Sequence, residues 1–79
     1  MLEEREILRK YLSRHNLRVT PQREMILNVF LKREGHVSAE ELYDHVRKRY
    51  PSIGQATVYR NLKLFSDAGL AREVDFGDG

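Results

Sequence analysis

Ala56, Tyr59, Arg60 and Lys63 are the residues in this chain whose types and spacing could do chemistry. At i, i+3, i+4 and i+7 they share one stripe of a helix that advances about 100° per residue. Val58, Leu62 and Phe65 fall on the opposite side and read as the core stripe of the same helix. A solvated helix face ordinarily carries flexible charges, not an aromatic ring beside an arginine. A small residue, an aromatic and two cations suit a helix that enters a DNA major groove. Alanine permits close approach, tyrosine offers apolar contact to a thymine methyl, and arginine can pair with guanine O6 and N7 or with a phosphate. A packed tyrosine on an ordinary surface helix would leave the same stripe, so the flanking elements have to separate the two readings.

Pro51-Ser52-Ile53-Gly54 is a turn leading into this helix, with Gly54 as its N-cap. Asp67-Ala68-Gly69 ends it, with Gly69 placed for a left-handed residue just past the helix. From Leu70 to Phe76 the apolar residues Leu70, Val74 and Phe76 interleave with charges, a half-buried strand pattern in which Arg72 breaks strict alternation. Gly77-Asp78-Gly79 reads as a hairpin tip whose return strand is expected further on. Upstream, Glu3 to about His15 reads as a first helix with Ile7, Leu8, Tyr11 and Leu12 on one side, followed by the connector 16–19. Thr20-Pro21 is an N-cap followed by proline at the first helical position. Its helix turns Met25, Ile26, Val29 and Phe30 inward and ends at Gly35. Ser38-Ala39-Glu40-Glu41 fits a capping box, and Leu42, Tyr43 and Val46 form the core stripe of a third helix that stops before Pro51. Helix, turn, recognition-type helix and β-hairpin is the order of a winged helix-turn-helix. The expected fold is therefore mainly α with a small β-hairpin, as one domain over 1–79.

Seventy-nine residues, 41% hydrophobic and 33% charged, fit one small helical domain whose single core is only just sufficient. The absence of cysteine excludes a disulfide framework or thiolate metal site within this stretch and suits a cytoplasmic setting. No apolar run approaches a membrane span, and the acidic start Met1-Leu2-Glu3-Glu4 is unlike a signal peptide. The net charge of +2 is small, but Arg9, Lys10, Arg14, Arg18 and Arg23 follow one another with no acid between them. Beside a basic recognition stripe, that run resembles an electrostatic footprint for phosphates. Arg47-Lys48-Arg49 could approach a phosphate backbone but reads more readily as a solvated last turn that complements the helix dipole. Nothing supports an enzyme: there is no nucleophile beside a base, no paired carboxylate site and no glycine-rich phosphate loop. A winged helix used for protein contact without DNA binding is the alternative; it would favour an acidic or apolar stripe, which Tyr59, Arg60 and Lys63 do not form.

At this point an ordered set of motifs becomes informative: Arg18-Val19-Thr20-Pro21-Gln22-Arg23, then Gly35-His36-Val37-Ser38-Ala39-Glu40-Glu41-Leu42-Tyr43, then Ile53-Gly54-Gln55-Ala56-Thr57-Val58-Tyr59-Arg60, then Asp67-Ala68-Gly69-Leu70 and Asp75-Phe76-Gly77-Asp78-Gly79. Together they resemble the N-terminal DNA-binding domain of the ferric uptake regulator family, from Leu17 onward. The resemblance implies a bacterial, metal-responsive transcriptional repressor that binds AT-rich palindromic operators in double-stranded DNA as a homodimer. It implies a second domain that makes the dimer and supplies most metal ligands, so this stretch by itself is expected to be a monomer without a cofactor. Tyr59 and Arg60 would occupy recognition-helix positions that touch bases and phosphates, and Arg18 a position that reaches into the minor groove. The full DNA-contacting set expected on this basis is Arg18, Thr20, Gln22, Arg23, Gln55, Ala56, Thr57, Tyr59, Arg60 and Lys63. His36 would match a ligand for the regulatory divalent metal (iron, manganese or zinc) in the longer protein. His15 and His45 have no supporting partner for such a role.

Overall fold

The computed structural model of the chain describes residues 3–33 and 37–70. These form α1 (Glu4–Arg14), α2 (Pro21–Leu31), α3 (Ala39–Arg49) and α4 (Gln55–Asp67). Among the described residues there is no strand. The strand and hairpin tip expected over Leu70–Gly79 lie outside the described residues, except for Leu70, which is buried. Gly35, the expected end of the second helix, also lies outside them. The helix itself stops at Leu31, with Lys32 as its C-cap.

Local chemistry sets most of these boundaries. The Thr20 hydroxyl accepts from the Arg23 backbone N–H at 3.2 Å, and Pro21 occupies a position whose missing N–H has no helical partner to lose. At α3 the capping box is complete. The Ser38 hydroxyl accepts from the Glu41 N–H at 3.1 Å while the Glu41 carboxylate accepts from the Ser38 N–H at 3.0 Å. Helices α1 and α4 end alike. Asn16 (φ 57°) and Gly69 (φ 89°) turn left-handed just beyond each helix. This lets Leu17 N–H reach the Leu12 carbonyl at 2.8 Å and Leu70 N–H reach the Phe65 carbonyl at 2.9 Å.

The core lies where α2, α3 and α4 meet. Ile26, Phe30, Leu42, Val46, Val58, Leu62 and Phe65 are fully buried, as the periodicity of each helix requires. The Phe30 and Phe65 rings meet at 5.2 Å between centroids, tilted by 46°. Buried aromatics of this kind are worth roughly 3–5 kcal/mol against alanine, so this pair does much to fix how α2 and α4 sit. Leu8 and Leu12 attach α1 to the same core. Arg5 reinforces that attachment by donating to both Glu24 and Asn28 on α2.

Candidate nucleic-acid interface

The N-cap of α4 is Gly54, which has no side chain to cap the helix, and the first turn carries no acid. The first amides of α4 therefore form an electropositive end open to an anion. Along the helix, Ala56, Arg60 and Lys63 are exposed, as the stripe requires. Tyr59 departs from the expectation. It is partly buried and packed against the core cluster, with its hydroxyl accepting from Gln55 Nε2 at 3.0 Å. The reason is angular. Tyr59 lies about 90° from the centre of the Val58–Leu62–Phe65 stripe, at the margin of the exposed face, and its long ring leans back over the helix. The packed reading of this tyrosine thus describes its ring, which is partly buried and partly accessible.

A cleft of about 300 Å³ opens between the start of α2 and the middle of α4, lined by Thr20, Gln22, Arg23, Thr57, Arg60, Asn61 and Leu64. It brings together five of the sequence-derived candidates from two separate motifs. Its lining holds two guanidinium groups, two hydroxyls and two amides, with no carboxylate. The Arg23 guanidinium also donates to the Arg18 carbonyl, which ties the exposed connector carrying Arg18 to the rim of the cleft. Arg60 is held loosely, with Nη2 3.5 Å from Thr57 Oγ1. Gln55, Ala56, Tyr59 and Lys63 continue the surface along α4.

Asn61 is the residue the sequence reading missed. It is 7% exposed, the one buried polar residue among the described residues. Its Nδ2 donates to the Thr57 carbonyl at 2.8 Å, while its Oδ1 is buried with no partner among the described residues. Helical spacing could have revealed it, since Asn61 lies only about 60° from Val58, on the flank of the core stripe.

The basic run 47–49 behaves as a solvated last turn. Arg47 pairs with Asp44 at 3.3 Å and lies over the Tyr43 ring, and Arg49 lies over Tyr50. Arg33 Nη2 lies 2.9 Å from His45 Nδ1, so His45 does have a neighbour, although a cationic one rather than a metal-binding one. His36 lies outside the described residues. Among the described residues no group of three His, Cys, Asp or Glu side chains converges as a metal site would require. No described helix is long and apolar enough to cross a membrane.

Helices α3 and α4, joined by a short turn and backed by α2, place a cleft with two arginines and no carboxylate in its lining at the start of α2 and the middle of α4. The chain matches the model of the ferric uptake regulator family over residues 14–79 and belongs to that family. It is 36% identical over 67 residues to the peroxide-responsive repressor PerR of Staphylococcus epidermidis, a match covering 85% of this chain and 45% of that protein. The PerR proteins of Staphylococcus saprophyticus and Staphylococcus aureus are each 37% identical over 67 residues, with the same coverage. The chain thus spans about half the length of the curated relatives it matches. No solved structure is a significant match. The family is one of regulators.

Proposed function

We infer that residues 1–79 are the sequence-specific DNA-binding domain, a winged helix-turn-helix, of a bacterial metal-responsive transcriptional repressor that recognises AT-rich palindromic operators. The observation that carries this reading is the joining of Arg23 on α2 and Arg60 on α4 across one acid-free cleft, beside the exposed Ala56 and Lys63. In this reading α4 enters the major groove. Ala56 lets the helix approach closely, and the Tyr59 ring edge, steadied by Gln55, meets a thymine methyl. Lys63 and the uncapped start of α4 attract phosphates. Arg18 reaches the adjacent minor groove from a connector held by Arg23. The strand and hairpin tip expected over 70–79 would begin the wing.

The whole protein would act as a cytoplasmic homodimer, presenting two such helices to the two halves of a palindrome. A divalent metal, iron, manganese or zinc, would supply the regulatory signal there, with His36 as one of its ligands and the remaining ligands in a further domain.

The test is fluorescence anisotropy of labelled AT-rich half-site duplexes across a salt series. Binding should exceed that to a scrambled duplex. It should also weaken with salt at a log–log slope of about 0.9 per phosphate neutralised. Arg18→Ala should cost more affinity on AT-rich flanks than on GC-rich ones, because a narrow minor groove concentrates negative potential. Equal losses on both flanks would reduce Arg18 to a phosphate contact. Indistinguishable binding to operator and scrambled duplex would refute sequence-specific recognition.

A further inference from the structure

Asn61 sets an unusual condition inside the α2–α4 cleft. The bond from Nδ2 to the Thr57 carbonyl fixes the amide orientation, because a flipped amide would set two acceptors against each other at 2.8 Å. The group left without a partner is therefore the acceptor, Oδ1, on a side chain that lines the cleft and is 7% exposed. Buried acceptors without donors are rare because each forfeits its hydration without compensation. Of the nearby donors, Arg23 already uses one N–H on the Arg18 carbonyl. Arg60, on the residue next to Asn61, is restrained only by the long 3.5 Å contact to Thr57.

We propose that the cleft between α2 and α4 is a seat for one backbone phosphate of DNA, in which Arg60 turns inward, gives one N–H to Asn61 Oδ1 and directs its remaining donors at the phosphate. Arginine suits this arrangement because its planar fork carries five donors and can serve two acceptors at once. Arg23, the Thr20 and Thr57 hydroxyls and the Gln22 amide complete a lining with no carboxylate to repel the anion. Asn61 is then a positioning residue that holds the guanidinium ready, and Arg60 fixes register on the backbone and does not read a guanine. This assignment rests on the DNA-binding reading above.

The test combines variants of the full chain with duplexes in which single phosphates are replaced by neutral methylphosphonates. For the unaltered chain, one phosphate per half-site should stand out, its neutralisation weakening binding several-fold. That penalty should fall below twofold in Asn61→Leu and in Arg60→Gln. Each variant should also lower the salt slope by about 0.9, the signature of one lost phosphate contact. Asn61→Leu removes the orphaned acceptor together with the Nδ2 bond to the Thr57 carbonyl, two opposing effects. Its melting temperature should therefore stay close to that of the unaltered chain, so lost affinity would not be lost folding. If Asn61→Leu fails to fold, Arg60→Gln carries the same cycle. Variants that respond to every methylphosphonate as the unaltered chain does would overturn the seat. So would an Arg60→Gln loss confined to operators carrying one particular guanine. Titration with dimethyl phosphate, followed by NMR at the Asn61 amide, separates the two readings. Shifts there without any duplex binding would retain the seat and sink the DNA reading, while neither response would sink both.

Discussion

Replacing Tyr59 tests how one side chain serves the core and the surface together. A fully buried aromatic costs roughly 3–5 kcal/mol when cut to alanine. Tyr59 is only partly buried at the edge of the core cluster, so about half of that, roughly 2 kcal/mol, is the expected loss for Tyr59→Ala. In a domain of this size 1 kcal/mol moves the melting temperature by about 4–8 °C, which places Tyr59→Ala roughly 8–16 °C below the unaltered chain. Tyr59→Phe removes only a hydroxyl whose bond to Gln55 is exposed, and should shift melting by no more than about 2 °C. On DNA the two variants should separate in the same order. Losing a methyl-sized apolar contact costs about 0.8 kcal/mol, or about fourfold, in discrimination between thymine and uracil at the contacted step. Tyr59→Phe keeps the ring edge and should keep that discrimination. Circular dichroism melting and anisotropy on thymine- and uracil-substituted duplexes measure both quantities on the same samples. A Tyr59→Ala melting temperature within about 3 °C of the parent would refute the packing half of the argument. Equal discrimination losses in the alanine and phenylalanine variants would transfer the reading role from ring to hydroxyl.

Two further outcomes follow from the helix ends. Gly69→Ala should lower stability by about 1–2 kcal/mol in urea unfolding, because φ 89° is strained for alanine although no neighbouring atom lies within 4 Å of an added methyl; an unchanged midpoint would mean that α4 closes equally well without the left-handed residue. At α3, the Ser38 backbone N–H and then the Ser38 hydroxyl hold the Glu41 carboxyl below its ordinary value, with His45 and Arg33 adding smaller pulls. A depressed folded pKa means stability that is present above the ordinary glutamate range and lost as pH falls through the lowered value. Glu41→Gln should therefore flatten part of the acid limb of stability against pH, and an equally steep limb in that variant would exclude the capping box as its source.

The parts of the fold that sequence made legible are those governed by contacts within a few residues. Thr20-Pro21, Ser38 to Glu41 and Gly69 each announce a helix end through a bond to a near neighbour, and each forms as expected. The core stripes were equally readable, because Val58, Leu62 and Phe65 need only helical spacing to share a face. Side chains at the margins of those stripes were not. Whether Tyr59 packs or projects depends on what the neighbouring elements place beside it, and spacing along one helix carries no information about that. Asn61 was hidden by its polarity, since an amide on the flank of a core stripe is ordinarily expected to reach water. The cleft could not be seen from either motif alone, because it exists only once Phe30 against Phe65 has set α2 beside α4.

That shared cleft bears on how operator preference could be moved between related proteins. A transplant limited to the outward residues of α4 would carry Ala56, Arg60 and Lys63, with the partly buried Tyr59, into a new host. It would leave behind Thr20, Gln22 and Arg23, which line the opposite wall of the cleft. If the cleft seats a backbone phosphate as proposed, the recipient helix would have its lettering without the clamp that fixes its register on the duplex. The smallest exchangeable unit is therefore a pair of segments far apart in the chain, the start of α2 together with α4. On the proposed reading, base preference and seating on the backbone would be inherited together.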